Sequence, residues 1–261
     1  MKGLDIFLHS LRQVLGNLPN AIKISAVPFG IQFIATFLLT RPDKTMAMMR
    51  DPMAMMQGGP SLVAQLANLV IVIVTSIWMA IAWHRFILKS EAPTGFVPPI
   101  DGGRMGAYFL RSLLIGIVLV VLGFVLGMVA GFVMFGIIGS SGGGMSTIFM
   151  ITIISLLLVY FPLFVIGYRL ATALPGTAID NEGAFLSGWE ATKGETGTFV
   201  GLGLISVLAM IVSAVLTIFV LAKIIVLFIA WTLVFNWLAT LVGLSVLTTL
   251  YGHYIEKRPL V

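Results

Sequence analysis

The sequence predicts an all-α, polytopic membrane protein with about six transmembrane helices in three hairpins and two interfacial amphipathic helices. Hydrophobic residues make up 59% of the 261 positions and charged residues only 10%, whereas a soluble domain carries about 25% charge. The positions from Ser112 to Tyr168 contain no Asp, Glu, Lys or Arg at all. One crossing of the roughly 30 Å hydrocarbon layer takes about 20 residues, so this stretch is long enough for two spans.

Residues 1–261 are predicted to form a single membrane domain that begins with an interfacial helix at residues 1–20. In this segment leucines recur at helical spacing between polar side chains such as His9 and Arg12. A helix with this pattern has a strong apolar face but is too polar to cross a bilayer, so we expect it to lie in the interface plane. The Asn17-Leu-Pro-Asn20 sequence ends it.

Spans one to four are predicted within residues 21–168. The glycine-rich Gly139-Ser-Ser-Gly-Gly-Gly144 sequence separates the third span from the fourth, because such a run favours a turn over a helix. The expected spans are about Ala21–Thr40, Ser61–Trp83, Met105–Ile138 and Ser146–Tyr168.

Residues 169–198 are predicted to be a polar cytoplasmic loop that carries the second amphipathic surface helix. Spans five and six follow in residues 199–251, where Lys223 is the one charged residue and indicates the turn. Residues 252–261 form a cytoplasmic tail. The two spans are expected at about Phe199–Leu221 and Ile224–Tyr251.

Lysine and arginine residues predict the orientation. With six spans, eleven of the 15 basic residues fall on the side of both termini. Since basic residues concentrate on the cytoplasmic side, both termini are expected in the cytoplasm. Bases at span ends favour contact with anionic lipid headgroups over nucleic acid, despite a net charge of +5. The headgroup candidates are Arg85, Lys89 and Arg169, with Trp83 and Tyr168 as interfacial belt residues.

The third span carries a face of regularly spaced glycines. Gly123, Gly127 and Gly131 follow one another at four-residue spacing, and Gly116 falls on the same face. Small residues let helices approach closely, and close van der Waals contact drives helix association in lipid. This face therefore predicts packing against a neighbouring helix of the chain, or against a second copy or a partner membrane protein.

Few polar side chains are predicted within the spans. Gln65 and Asn68 share a face of the second span, and Asn236 and Thr240 share a face of the sixth, with Asn236 near mid-membrane. Such groups commonly form hydrogen bonds between helices, so a structural role is the preferred interpretation. The alternative is a transport route, although ionisable residues, which mark ion and proton routes, are not predicted in any span centre.

Signals for metals and cofactors are weak, and no cofactor is predicted. One loop is rich in methionine, whose thioether suits Cu(I). Because neither His nor Cys joins the cluster, an apolar flap is the preferred interpretation. The absence of cysteine excludes disulfides and thiolate metal sites. The candidate thioether ligands are Met46, Met49, Met53 and Met56.

Two segments resemble a known family pattern. Tyr168-Arg-Leu-Ala-Thr-Ala-Leu-Pro175 is followed by Gly188-Trp189-Glu-Ala-Thr192-Lys193-Gly194. This is similar to the membrane domain found beside bacterial glycerophosphodiester phosphodiesterases and to related multi-pass bacterial membrane proteins. In that group a span ends in Arg-Leu, a Pro follows, and a Ser-Trp-x-x-Thr-Lys/Arg-Gly helix leads into the next span, so Gly188 stands where Ser is usual.

The resemblance implies a six-helix bacterial inner-membrane protein. It does not imply phosphodiesterase activity, because no soluble catalytic domain follows in this sequence. We therefore expect a non-enzymatic accessory or scaffold protein that contacts membrane lipid or a partner membrane protein. The alternative is a small transporter or channel with a polar route near Asn236. A membrane-embedded lipid enzyme is the third hypothesis, and it would need a cytoplasmic-edge centre of His84, Glu91 and Asp101.

Overall fold

A computed structural model describes residues 2–40, 61–141, 145–181, 183–219 and 224–260. This part of the chain is helical and contains no strand, which confirms the all-α prediction. A π-helical turn at Leu156–Tyr160 joins two of the helices. In chain order the helices are α1 (Lys2–Leu15), α2 (Leu18–Thr40), α3 (Leu62–Lys89), α4 (Gly102–Ser141), α5 (Met145–Ser155), α6 (Phe161–Ala171), α7 (Leu174–Ala178), α8 (Ser187–Ala191), α9 (Thr196–Phe219) and α10 (Ile225–Tyr254).

Six helical stretches of the described chain are long and apolar enough to cross a membrane. They follow the order of the six predicted spans, so the chain is a multi-pass membrane protein by the length and composition of its helices. The second stretch continues past Trp83 to Lys89. The predicted span ended where basic residues begin, whereas the helix continues through these residues. The stretches are Leu18–Leu39, Leu62–Lys89, Gly102–Ile137, Met150–Ala171, Thr196–Thr217 and Val226–Tyr254.

The π-helical turn in the fourth span has a local cause. Pro162 has no backbone N–H, so the carbonyl of Leu158 loses its usual helical partner. Widening the turn accommodates the proline while the helix continues. The N–H of Phe161 accordingly bonds to the carbonyl of Leu156, five residues earlier.

The buried core is concentrated at one end of the bundle. There α1 packs against α9 and α10, and Ile6 of α1 and Leu250 of α10 are both fully buried. Ser10 of α1 donates a hydrogen bond to Thr249 of α10 at 3.1 Å. Because α1 meets the last turns of α10, both termini lie at this end. We call it the terminal end, and the other the opposite end.

The N-terminal helix forms as predicted, and it packs on the bundle through residues other than its exposed leucines. Leu4 and Leu15 remain 45% and 48% exposed. The face that packs on the bundle carries small and polar side chains as well as apolar ones, because it must fit between two helices. Its buried residues are Gly3, Ile6, Ser10 and Val14.

Close approach of α1 to α9 depends on a glycine. A Cβ at Gly3 would lie 2.6 Å from the carbonyl oxygen of Thr198, a distance that real side chains do not adopt. Next to this contact Lys2 forms an ion pair with Glu195 at 2.8 Å. The hydrogen bond to Glu195 raises the pKa of Lys2 above its ordinary value. The N-terminal helix is therefore joined to the last hairpin rather than resting beside it.

The glycine face of the third span is only partly used within the chain. A Cβ at Gly123 would lie 3.5 Å from Leu163 of α6, an ordinary contact distance. At Gly116, Gly127 and Gly131 a Cβ would meet nothing within 4 Å in the described chain. The prediction of close intramolecular packing is therefore wrong at these three glycines. Packing of this face on a second protein stays a prediction.

Candidate functional site: a lateral polar groove

Helices α2 and α10 meet near the middle of the bundle and enclose a groove beyond that point. At the meeting point Trp237 Nε1 donates a hydrogen bond to Ser25 Oγ at 2.8 Å. Toward the opposite end the two helices line a laterally open groove of about 320 Å³. The apolar part of its lining is four phenylalanines, Ile229 and Leu233. The polar part is Gln32 and Thr36 of α2 with Thr232, Asn236 and Thr240 of α10.

Helical spacing brings the polar residues to this groove. Thr232, Asn236 and Thr240 are four residues apart, so they lie on one face of α10. Gln32 and Thr36 have the same spacing on α2. Two polar ladders on facing helices therefore run along a groove whose other lining is aromatic and aliphatic.

The groove residues are partly bonded to their own helices and partly to α3 behind them. Asn236 Nδ2 donates to the carbonyl of Thr232 at 2.7 Å. No described residue donates a hydrogen bond to Asn236 Oδ1. On the other wall Thr36 Oγ1 donates to Asn68 Oδ1 at 2.9 Å. Gln32 Oε1 lies 3.4 Å from Thr75 Oγ1, whose hydrogen has a closer acceptor in the carbonyl of Ile71 at 2.7 Å. The α2 wall is thus fixed from behind, and Asn236 presents an acceptor to the groove.

Asn236 lies deep in the membrane region and is nevertheless exposed. It is eleven residues into α10, about 16 Å from the start of the helix at 1.5 Å per residue, which is near half of the roughly 30 Å hydrocarbon layer. A polar group facing hydrocarbon without a full set of partners costs free energy. An exposed carboxamide at this depth is therefore a feature that packing alone does not explain.

The structure brings together some of the predicted polar residues and separates others. Asn236 and Thr240 line the groove, and Asn68 supports it through Thr36. Gln65 does not line it. Gln32 and Thr36 were not predicted as site residues, although a pair of polar residues four apart in an otherwise apolar span was a usable signal.

Two of the predicted headgroup contacts, Arg85 and Lys89, are paired with carboxylates in a neutral ion cluster at the terminal end. Arg85 pairs with Glu91 at 2.5 Å and reaches Asp180 at 3.3 Å. Lys89 lies 3.8 Å from Asp180. The cluster contains three cations and three carboxylates, so its net charge gives an anionic headgroup little attraction. Its members are Arg85, Lys89, Arg104, Glu91, Asp101 and Asp180.

Asp180 is the centre of this cluster. It follows the short helix α7 with a φ of 62°, a left-handed conformation that Asp adopts more readily than most residues. Its carboxylate accepts from Arg104 Nε at 2.8 Å. That hydrogen bond holds the pKa of Asp180 below its ordinary value. The carboxylate therefore anchors the loop that precedes α8.

Arg169 is held by the residues that carry the family resemblance. Its guanidinium lies 4.0 Å from the centre of the Trp189 ring and donates to the hydroxyl and carbonyl of Thr192 at 3.3 and 3.2 Å. A Cβ at Gly188 would lie 2.9 Å from the carbonyl oxygen of Arg169. The Arg-Leu and Gly-Trp-x-x-Thr segments are thus two halves of one local contact, which fixes the start of α9.

The predicted belt residues take up other positions. Trp83 is fully buried in the core at the terminal end, so its assignment to an interfacial belt is wrong. The hydroxyl of Tyr168 hydrogen-bonds to Ser206 of α9 at 2.8 Å. Both side chains connect helices to one another.

The three residues of the hypothetical enzymatic centre are used separately. His84 is fully buried and forms hydrogen bonds with Thr248 at 2.8 Å and Tyr108 at 3.1 Å, which ties together α3, α4 and α10. Glu91 and Asp101 instead bind arginines beside a cavity of about 250 Å³ whose lining does not include His84. The arrangement predicted for a lipid enzyme is not formed.

No group of three or more His, Cys, Asp or Glu side chains in the described chain is placed to hold a metal ion. The methionine cluster of Met46, Met49, Met53 and Met56 lies outside the described residues, so the apolar flap stays the prediction there and Cu(I) binding its alternative.

Fold and groove together define a multi-pass α-helical membrane protein with a polar groove facing the bilayer. No protein-family model, no curated protein and no solved structure matches the chain. The resemblance to the membrane domain beside glycerophosphodiester phosphodiesterases therefore stays a prediction. What the chain does has to be argued from its own residues.

Proposed function

We propose that this chain is a non-enzymatic accessory protein of a bacterial inner membrane that binds an amphipathic lipid in the groove between α2 and α10. Both termini would lie in the cytoplasm, so the groove would occupy the outer half of the bilayer. The observation that carries the proposal is the exposed carboxamide of Asn236 at mid-membrane depth, inside a groove with five polar lining residues.

Charge at the terminal end supports a groove site over a headgroup site. The cations first considered for headgroup contact are paired with carboxylates or, for Arg169, stacked on Trp189. The groove, by contrast, presents hydrogen-bonding groups that face outward. Lipid that is retained specifically is therefore expected there, and the ion cluster is assigned a structural role.

A test is to isolate the full chain from native membranes in polymer-bounded lipid discs and to quantify the lipid that is retained. Asn236→Leu removes the carboxamide with little change of volume, and we expect it to lose the retained lipid. It should leave stability unchanged or slightly higher, because an exposed polar group has been removed from an apolar environment. Gln65→Leu is the matched control, since it deletes a carboxamide outside the groove.

Equal lipid retention by the native protein and both variants would contradict the proposal. A different outcome would favour a scaffold that uses the third span. In that case a stoichiometric partner protein is isolated with the chain, and substitutions at Gly127 and Gly131 abolish its binding.

The rival function is transport through the same groove. Its polar lining offers a route from the opposite end to mid-membrane. Beyond Thr240, however, α10 contributes the core residues Leu241, Val242 and Val246, and the Trp237–Ser25 hydrogen bond lies at the junction. We therefore expect no flux of small solutes into protein-containing liposomes. Flux that disappears with Asn236→Leu would establish the transporter in place of the lipid-binding protein.

A further inference from the structure

We infer that the occupant of the groove is an uncharged lipid whose small head group both donates and accepts hydrogen bonds, as a hydroxyl does. This inference rests on the proposed lipid-binding function and narrows its ligand class. It is drawn from the size, charge, hydrogen-bonding groups and depth of the groove.

The size of the groove suits a small lipid head group. Its volume of about 320 Å³ is roughly twice that of the ~150 Å³ cavity that takes up benzene, and it lies at the low end of the ~300–1,000 Å³ range of ligand pockets. A small head group with part of one chain fits.

The described lining residues of the groove carry no charge. A charged head group drawn into it would lose its hydration without gaining a counter-ion, which is the most costly kind of burial. Phosphate-bearing lipids are therefore excluded from the inner part of the groove.

The hydrogen-bonding groups match a ligand that donates and accepts. Asn236 Oδ1 receives no hydrogen bond from any described residue, so it is an acceptor for a ligand O–H or N–H. Asn236 Nδ2 uses one of its two hydrogens on the carbonyl of Thr232, and the other can be donated. A hydroxyl seated beside Asn236 satisfies both groups.

The depth of Asn236 adds a second restriction. Its position is about 16 Å along α10, below the level at which phospholipid head groups lie. An uncharged lipid with a small head moves to this depth at low cost, because it carries no ion into hydrocarbon. The phenylalanines of the groove provide an apolar surface for the adjoining chain.

Three lipids with the same two acyl chains test this inference. They are diacylglycerol, its 3-acetyl ester, which lacks the donor hydroxyl, and phosphatidic acid, which adds charge. Each is titrated against the full chain in detergent and the bound fraction is measured by native mass spectrometry. Diacylglycerol is expected to bind about threefold more tightly than its acetyl ester, the effect of one hydrogen bond in a membrane interior. Phosphatidic acid is expected to bind more weakly still, because the groove offers no counter-ion to its charge.

Asn236→Leu and the nearly isosteric Thr240→Val are measured in parallel, with Gln65→Leu as the control. Asn236→Leu should weaken diacylglycerol binding about threefold and abolish its advantage over the acetyl ester. Thr240→Val should reduce that advantage, so that the test stands if Asn236→Leu fails to fold. Gln65→Leu should behave as the native chain.

The outcomes separate the inference from the proposed function. If phosphatidic acid binds most tightly, or if diacylglycerol and its acetyl ester bind equally, the ligand is not an uncharged lipid that donates a hydrogen bond. In either case the proposal that lipid binds in the groove still stands if Asn236→Leu weakens the binding. Binding of all three lipids that is indifferent to Asn236→Leu and Thr240→Val overturns both.

Discussion

The terminal end and the α10 wall of the groove use polar residues in opposite ways. At the terminal end, His84 is buried and bonded across helices to Thr248 and Tyr108. In the groove, Asn236 is exposed and bonded only to its own helix through its side-chain nitrogen. A polar residue in a membrane protein is therefore informative mainly through what it faces, since the same residue types hold one end together and form a site at the other.

The two ends of the bundle also differ in how densely their side chains are packed. The core residues of α1, α9 and the end of α10 are almost completely buried, whereas the halves of α3 and α4 toward the opposite end expose large apolar side chains. Lipid covers such side chains without an energetic penalty. Stability should therefore reside mostly at the terminal end, and the opposite end should tolerate substitution.

The largest expected effect comes from two phenylalanines, one at each end. Phe199 is 0% exposed and Phe135 is 82% exposed. Phe199→Ala should lower the free energy of unfolding by about 3 kcal/mol, because it leaves a cavity among packed helices. Phe135→Ala should change it by less than about 0.5 kcal/mol. Unfolding in mixed micelles with increasing dodecyl sulfate measures both, and equal losses would remove the distinction between the ends.

A smaller effect is expected where α1 approaches α9. Gly3→Leu places a side chain against the backbone of Thr198, so we expect a loss of about 1–3 kcal/mol. Hydrogen exchange should accelerate in residues 2–15 before it does so elsewhere. Gly106→Leu is the control, since a Cβ there meets nothing within 4 Å. Unchanged exchange in the Gly3 variant would show that α1 is not joined to the last hairpin.

The smallest effect is expected at the ion cluster, where it depends on pH. The pKa of Asp180 is lower in the folded protein than its ordinary value. Its charge therefore stabilises the fold above the unfolded pKa of about 3.9, and this contribution is lost as the pH falls through the folded pKa.

Thermal unfolding of the solubilised chain between pH 3 and pH 7 tests this contribution. Asp180→Asn should be less stable than the native chain at pH 7, and the difference should close as the pH falls below about 4. A difference that stays constant over this range would assign Asp180 a role independent of its charge.

The spans were predictable from the sequence because length and apolar composition alone decide whether a helix can cross a bilayer. Which faces of the helices pack against one another was not predictable in the same way. The leucines of α1 predicted an interfacial helix, but they did not indicate that its face with Gly3 and Ser10 packs into the cleft between α9 and α10. Trp83 next to His84 and Arg85 has the composition of an interfacial belt, and only the packing of α1 and α10 around it shows that it is core.

The groove was half predicted. Asn236 and Thr240 were recognised because they stand out in an apolar helix, yet their facing partners on α2 depend on how α2 leans against α3. Thr36 to Asn68 and Thr75 to Gln32 are contacts between helices. Spacing within one helix indicates that Gln32 and Thr36 share a face of α2, but it carries no information about which helix that face meets.

The docking of α1 has a consequence for how the chain is made. Ser10 and its hydrogen-bond partner Thr249 are 239 residues apart in sequence, so translation at 5–20 residues per second separates them by roughly 12–50 s. Throughout that interval the N-terminal segment has no cleft to enter, and the leucines it leaves exposed give it a resting place on the surface of the bilayer. The first helix to be synthesised is thus among the last to reach its final position, and its arrival reports that the last hairpin is complete.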